Sequence, residues 1–182
     1  MGKLIIEAEV SLDGVMNGPE FWEQVFKYHS DDVKDCLNKI LFSADALILG
    51  RMTYEVFAEV WPSREGKDAN HINTMPKYVA SRTLTEPLAW NAKLIKGDLS
   101  TAIRSLKQES SNNLVQYGVG ELTESVLQHG LVDELRLLVF PFVFGKGPRV
   151  FEKMVTGNLK LLNTRTFSSG VVELAYQPDS KA

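Results

Sequence analysis

A glycine turn, Gly118 to Gly120, is the first candidate for a ligand-binding site in this sequence. The β-rich run Leu114 to Tyr117 precedes the turn and predicts a strand, and the residues after the turn predict a helix up to Gln128. A strand that passes through such a turn into a helix leaves unpaired backbone N–H groups and the positive end of the helix dipole at one place. That combination favours a bound phosphate group.

A second strand ends in residues that suit a phosphate. Gly50, Arg51 and Thr53 follow the apolar run Ala46 to Leu49, which is typical of an interior strand covered on both faces. A guanidinium group matches the geometry of a phosphate, and a hydroxyl adds a further donor. The alternative for Arg51 is an exposed side chain without a ligand, and its local sequence alone favours that alternative.

Ser81 and Arg82 repeat the pattern after the run Lys77 to Ala80. Ligands of mostly parallel sheets bind at the carboxyl ends of the strands, so the three strand ends are expected to lie at one edge. Their agreement favours a phosphate-bearing ligand, and in particular a dinucleotide.

Other motifs do not support a site. The turn Gly118 to Gly120 lacks the third glycine of the dinucleotide fingerprint, and Gly145 to Gly147 is followed by Pro148 instead of the residues that a P-loop requires. His71 lies near Asp68, but the further ligands that a metal needs are missing, so it is interpreted as a solvated loop histidine. No metal site is expected.

Composition narrows the class of protein. The chain has 182 residues, a net charge of −3 and 44% hydrophobic residues, which predicts one globular domain without a general attraction to nucleic acid or anionic membranes. A single cysteine, Cys36, excludes an intramolecular disulfide. No apolar window is long enough to span a bilayer or serve as a signal peptide. We therefore expect a cytoplasmic protein that acts on a small molecule.

The periodicity predicts strands that alternate with helices early in the chain. Strands are predicted at residues 3–10, 46–49, 77–80, 92–96, 114–117, 134–140, 159–167 and 171–176, the last two joined as a hairpin. Helices are predicted within residues 30–44, 51–60, 99–106 and 121–128. These elements predict a mixed three-layer α/β sheet, mainly parallel, with antiparallel strands at the C-terminus.

Three segments are expected to lack regular structure. Gly14 to Trp22 is a predicted loop whose two aromatic residues either line a site or plug the edge of the core. Ser63 to Met75 is polar and predicts an exposed loop, and Gln177 to Ala182 predicts a disordered tail.

Several of these segments resemble one family. Leu47 to Glu55 resembles the strand and helix start of dihydrofolate reductases, with Gly-Arg-x-Thr followed by an aromatic residue and a glutamate. Ser11 to Gly14, Gly118 to Leu122 and Gly130 to Gly147 are similar to the reductase domain of the bifunctional riboflavin-biosynthesis deaminase–reductases and its stand-alone relatives. The resemblance extends over residues 3–177.

This resemblance implies a single dihydrofolate-reductase-like domain over residues 1–182, NADPH as the hydride donor and a homodimer. It also implies which residues hold the cofactor. The matching positions are Gly50, Arg51 and Thr53 for the adenosine-side phosphate and the pyrophosphate, Ser81 and Arg82 for the 2′-phosphate, Gln116 and Tyr117 for the nicotinamide, and Gly118, Val119, Gly120, Glu121 and Leu122 for the pyrophosphate turn.

The resemblance leaves two carboxylates for the substrate. Asp13, in the Leu-Asp-Gly segment, is preferred, with a turn aspartate as its alternative. Asp32 lies near the place where dihydrofolate reductases carry an acid, although its spacing to Gly50 differs. Asp31 and Asp35 compete for that role, and helix capping explains the acidic residues equally well.

The expected function is that of an NADPH-dependent reductase of a pyrimidine or pterin-type substrate. It would resemble either 5-amino-6-(5-phosphoribosylamino)uracil reductase or dihydrofolate reductase. The alternatives are a non-enzymatic NADP(H)-binding protein that has lost the substrate acid, and a homodimeric structural domain without a nucleotide.

Overall fold

A computed structural model describes residues 1–152 and 157–179. The strands are β1 Leu4–Ser11, β2 Ala44–Gly50, β3 Lys77–Ala80, β4 Ala92–Leu94, β5 Asn113–Tyr117, β6 Glu134–Phe140, β7 Leu159–Thr166 and β8 Val172–Pro178. The helices are α1 Pro19–Val25, α2 Asp31–Phe42, α3 Arg51–Val60, α4 Lys67–Thr74, α5 Leu99–Glu109 and α6 Glu121–Gln128.

The eight strands form one sheet in the order β4-β3-β2-β5-β1-β6-β8-β7. The first six strands of that order are parallel to one another, whereas β8 is antiparallel to both β6 and β7. The predicted mixed sheet with antiparallel C-terminal strands is confirmed. The carboxyl ends of six strands therefore share one edge.

Helices cover both faces of this sheet, which confirms the three layers. Helices α1 to α4 pack on the face that carries Ile5, Leu47 and Val115. Helices α5 and α6 pack on the opposite face, against Leu4 and Ile6. Because β1 lies near the middle of the sheet and is covered on both sides, all eight of its residues are buried.

Helix α2 shows why the helical predictions succeeded. Asp31 and Asp32 lie in its first turn and Lys39 in its last, which suits the helix dipole at each end. Val33 and Cys36 point into the core at a helical spacing, so the cysteine is a buried packing residue.

The predictions of a loop at Ser63 to Met75 and of a loop continuing through Trp22 were wrong. Helix α4 occupies most of the first segment, because Ala69 and Ile72 lie three residues apart and both reach the interior. His71 belongs to this helix, and its Nε2 lies 3.2 Å from the carbonyl oxygen of Leu41. The polar composition of the segment hid a short amphipathic helix.

Helix α1 begins inside the other predicted loop. Pro19 occupies its first turn, where a missing N–H costs nothing, and Phe21 is fully buried. Phe21 packs against Phe142 and Phe144 with ring centroids 5.9 and 5.7 Å apart. Phe21 is thus a core residue.

The tail was predicted to be disordered from Gln177, and this was wrong for its first residues. Gln177 and Pro178 continue β8, where Gln177 is paired with Lys160 of β7. The backbone N–H of Asp179 donates to the carbonyl of Asn158 at 2.9 Å. Residues 180–182 lie outside the described part of the chain.

Candidate cofactor and substrate site

The glycine turn lies where β5 ends and α6 begins. Gly118 has φ of 77°, a conformation that side chains rarely adopt, and its backbone N–H donates to the carbonyl of Glu7 at 2.7 Å. A Cβ atom placed on Gly120 would meet no atom within 4 Å. The turn is therefore fixed to the central strand on one side and open on the other.

The start of α3 lies beside this turn. A Cβ atom on Gly118 would lie 3.9 Å from Oγ1 of Thr53, and one on Gly50 would lie 3.9 Å from Cβ of Leu122. The first turns of α3 and α6 are thus neighbours, and each leaves N–H groups without a partner inside its helix. Two helix dipoles present their positive ends at one place, which favours an anion.

The end of β3 joins the same edge. The hydroxyl of Ser81 accepts from the backbone N–H groups of Thr83 and Leu84 at 3.2 and 3.0 Å, so this residue shapes its own turn. The guanidinium of Arg82 lies 3.8 Å from the carboxylate of Glu121 in α6, and both side chains are exposed. Exposed ion pairs are weak, so Arg82 can exchange this partner for a ligand anion.

Arg51 completes the basic residues of this edge. Its guanidinium lies 3.5 Å from Glu55 one turn later in α3, and both side chains are about half exposed. The structure therefore brings together the strand ends that the sequence placed at one edge.

Gln116 and Tyr117 diverge because neighbouring residues of a strand point to opposite faces. The side chain of Gln116 is buried on the α6 side, where its amide donates to Oγ1 of Thr123 at 2.5 Å and to the carbonyl of Gly118 at 3.1 Å. Tyr117 faces α3, and its ring lies 5.7 Å from that of Phe57. Gln116 supports the glycine turn from behind, whereas Tyr117 belongs to the other layer.

Asp13 lies just after β1 and holds a distant loop. Its carboxylate accepts from the backbone N–H groups of Phe144 and Gly145, both at 2.9 Å, and from the hydroxyl of Ser11 at 2.7 Å. These hydrogen bonds, that of Phe144 first, lower the pKa of Asp13 to about 2. The group is an ionised acceptor whose donors all come from the chain itself.

Asp32 plays a similar part at the start of α2. It accepts from the hydroxyl of Ser30 at 2.5 Å and from the backbone N–H and hydroxyl of Ser168 at 2.8 and 2.9 Å. The hydroxyl of Ser30 and the bonds from Ser168 lower the pKa of Asp32 to about 2. This carboxylate ties α2 to the turn between β7 and β8.

Comparison with known proteins identifies the family of this chain. A family model described as the RibD C-terminal domain matches residues 2–173. The chain belongs to this family. The uncharacterized protein YyaP of Bacillus subtilis (strain 168) is 32% identical to it, with 96% of this chain and 94% of YyaP aligned.

Solved structures show the fold of this RibD C-terminal domain. A putative riboflavin biosynthesis protein from Shewanella sp. PV-4 aligns with a TM-score of 0.76 at 21% identity, covering 97% of this chain and 99% of that one. A dihydrofolate reductase from Enterococcus faecalis, complexed with NADP(H), aligns with a TM-score of 0.63 at 13% identity and covers 98% of each chain. The predicted dihydrofolate-reductase-like fold is confirmed, and family membership supports a reductase-like function.

Glu7 and Glu9 are polar residues of this domain that lie in β1 on the face opposite Leu4 and Ile6, and the sequence motifs did not single them out. They point toward the α1 to α4 layer and are buried. Oε1 of Glu9 lies 3.1 Å from Nε2 of His29, whereas Oε1 of Glu7 has no hydrogen-bond partner. The signal was available: two glutamates in a strand of an α/β sheet lie in the interior, because both faces are covered.

Two cavities lie at the other edge of the sheet. One of about 400 Å³ is lined by Lys39, Glu134 and Arg136, and one of about 200 Å³ by Asp45 and Tyr78 among others. Both lie at the amino ends of the strands, away from the glycine turn. The glycine turn, the starts of α3 and α6 and the two arginines gather at the carboxyl edge instead.

The described residues contain neither a metal-binding cluster nor a membrane-spanning helix. In residues 1–152 and 157–179, no group of three or more His, Cys, Asp or Glu side chains could hold a metal ion. Over the same residues, no helix has the length and apolar character needed to cross a membrane.

Proposed function

We propose that this RibD C-terminal domain is an NADPH-dependent reductase of a pyrimidine or pterin-type substrate. The observation that carries the proposal is the meeting of two helix starts at a glycine turn with open space in front of Gly120. The cofactor named with the dihydrofolate reductase of the same fold supports the choice of NADP(H).

The residues of the carboxyl edge fit such a cofactor. Gly118 to Leu122, with Gly50 and Thr53, would hold the pyrophosphate, because a Cβ on Gly120 would project into free space and N–H groups of two helices point to this region. Arg51, Ser81 and Arg82 would hold the outer phosphates. NADPH, when bound, would supply the hydride.

On the substrate side, Tyr117 lies at the end of β5 on the α3 face and would contact the nicotinamide end. Gln116 would keep the carbonyl of Gly118 in place from the opposite face. Asp13 and Asp32 remain predictions for contact with the substrate.

A test of the cofactor assignment uses Arg51→Ala. We expect NADPH affinity, measured by calorimetry, to fall about tenfold or more because one charge-assisted phosphate contact is lost. NADH lacks the 2′-phosphate, so its affinity should change much less. Lys34→Ala, at an exposed lysine of α2, is a matched control for charge.

Turnover is tested with the unaltered protein. We expect loss of NADPH absorbance with 5-amino-6-(5-phosphoribosylamino)uracil or with dihydrofolate. If neither compound is reduced and NADPH does not bind, the proposed function is wrong.

NADPH binding without turnover would favour a second candidate, a non-enzymatic NADP(H)-binding protein. One observation favours this candidate. Both carboxylates that the sequence assigned to the substrate, Asp13 and Asp32, are occupied by hydrogen bonds from their own chain.

We also propose that the protein is a homodimer that pairs through β7. Each residue of β7 is exposed, including Leu159, Leu161 and Leu162, and within the described residues no strand pairs with its outer edge. An exposed apolar edge strand is a ready surface for a second copy. Light scattering should give the mass of two chains, and a monomer would contradict this assignment.

A further inference from the structure

Glu7 is an unusual residue at the centre of this sheet. Its side chain is 3% exposed, and its Oε1 lacks a hydrogen-bond partner within the described residues. Buried carboxyl groups are almost always paired, so an unpaired one calls for an explanation. Glu9, two residues on and on the same face, has His29 as its partner.

The position of Glu7 connects it to the proposed cofactor turn. Its carbonyl accepts from the N–H of Gly118 at 2.7 Å, and in the sheet it is aligned with Tyr117 on one side and Arg136 on the other. The residue that anchors the glycine turn through its backbone therefore carries the unpaired carboxyl group. Its side chain points into the layer that Tyr117 also faces.

We propose that Glu7 is the proton donor of the reductase and holds the acceptor atom of the substrate through its carboxyl group. This inference rests on the proposed function. As hydride reaches the carbon of a C=N or C=O group, the π bond breaks, and its electron pair takes the proton from Glu7. The substrate would gain one C–H bond from the hydride that NADPH supplies when bound, with oxidation to NADP⁺, and one N–H or O–H bond from Glu7. The Glu7 carboxylate would then regain a proton from water.

The surroundings of Glu7 favour a proton donor. Burial raises its pKa well above the ordinary value, and the negative charges of Glu9 in β1 and Glu173 in β8 act in the same direction. Arg136 in β6 acts in the opposite direction, but its guanidinium is bonded to Glu173 at 3.1 Å and to Glu134 at 2.7 Å.

Three other titratable groups face this cluster. Tyr117 packs against it from β5, His29 from the segment between α1 and α2, and Cys36 from α2. The pKa of Tyr117 is raised by burial and then by the charges of Glu7 and Glu9, so the phenol stays neutral beside them. Asp13 and Asp32, by contrast, are ionised acceptors at neutral pH.

The decisive experiment compares Glu7→Gln with the unaltered protein. The amide keeps the size of the side chain but is not an acid, so we expect kcat with the two probe substrates to fall about 100-fold or more. NADPH affinity should stay within about twofold, because the amide leaves the backbone of the glycine turn unchanged. In the unaltered protein kcat should decrease as pH rises and Glu7 loses its proton.

Glu9→Gln is the matched control from the same strand and face. It should keep most of the turnover, but the alkaline decrease should move to lower pH, because a negative neighbour that raises the pKa of Glu7 is gone. A merely structural Glu7 would not show this shift. If Glu7→Gln does not fold, Glu7→Asp is measured in its place. It keeps an acid on a shorter side chain, so kcat should be reduced and the pH at which kcat decreases should change.

A second measurement does not depend on turnover. The infrared difference spectrum between the unaltered protein and Glu7→Gln at neutral pH should contain the carbonyl band of a protonated carboxylic acid. A carboxylate band instead would overturn the inference even if NADPH is bound and oxidised. An unchanged kcat in Glu7→Gln would also overturn the inference. If the unaltered protein neither binds NADPH nor turns over the probe substrates, the proposed function is wrong, and the role of Glu7 as its proton donor falls with it.

Discussion

Asp13 and Asp32 differ from Glu7 and Glu9 in their position within the fold and in their burial. Asp13 and Asp32 lie at the ends of elements, and each accepts hydrogen bonds from loop residues far away in sequence. Glu7 and Glu9 lie within a central strand and are buried. The first pair holds loops as ionised acceptors. In the second pair Glu9 has His29 as its partner, whereas the unpaired Glu7 lies beside the proposed cofactor turn.

Family resemblance and the local environment of the carboxyl groups select different residues in this protein. The Leu-Asp-Gly segment singled out Asp13, and the place where dihydrofolate reductases carry an acid singled out Asp32. The hydrogen-bond pattern of the folded chain singles out Glu7. Stability measurements separate these assignments, because a residue kept for function is often unfavourable for folding, whereas a residue that holds a loop is favourable.

The largest effect is expected for Glu7→Leu. Replacing an unpaired buried carboxyl group with an apolar side chain should raise the free energy of unfolding by about 1–3 kcal/mol at neutral pH. Thermal unfolding would measure the change while the turnover assay shows the loss of activity. A more stable but inactive variant would mark Glu7 as a functional residue.

The stability difference between Glu7→Leu and the unaltered protein should depend on pH in one direction. The pKa of Glu7 is raised in the folded protein, so its contribution is most favourable below the unfolded pKa and is lost as pH rises toward the folded pKa. The advantage of Glu7→Leu should therefore grow as pH rises above about 4.5 and shrink in acid. A lower unfolding temperature at every pH would mean that Glu7 serves the structure.

Much of the fold was available from the sequence, for reasons visible in particular residues. The periodicity of Val33 and Cys36 predicted α2, and the separate pattern of the last two strands predicted the antiparallel hairpin. Helix α4 was missed because Ala69 and Ile72 are two apolar residues in a polar segment. Such a helix is stabilised by tertiary packing, which local composition does not contain.

Part of the candidate site could likewise be predicted from the sequence, and part could not. Strand ends at one edge follow from parallel topology, so the neighbourhood of Gly50, Arg82 and Gly118 could be predicted. The burial of Glu7 follows only when the alternation is combined with the α/β topology, because the alternation by itself also describes a strand with one face in water. Likewise, that Asp32 is held by Ser168 depends on a contact across 136 residues of sequence.

A smaller effect is expected for Asp32→Asn. Losing an ionised acceptor of four hydrogen bonds should lower the unfolding temperature at neutral pH by roughly 2–4 °C. The pKa of Asp32 is lowered to about 2 in the folded protein, so the loss should be full above the unfolded value of 3.8 and disappear as pH falls toward 2. This sign is opposite to that for Glu7→Leu.

Asp13→Asn should behave in the same way, because its pKa is also lowered to about 2. Turnover with the probe substrates should remain within a few-fold of the unaltered protein for both variants. A loss of kcat of about 100-fold with an unchanged unfolding temperature would instead establish that aspartate as the substrate acid, as the sequence predicted.

The smallest effect is expected for Asp31→Asn. This variant removes a negative charge from the first turn of α2 and leaves the hydrogen bonds of Asp32 in place. Asp31 also lies in the first turn of α2, but its side chain is exposed and its partner is Lys34 at 3.7 Å. Exposed pairs of this kind contribute little, so the unfolding temperature should change by about 1 °C or less. If Asp31→Asn destabilised the protein as much as Asp32→Asn, the cause would be the lost attraction of an acidic residue to the helix dipole. The bonds to Ser168 would then no longer distinguish Asp32 from its neighbour.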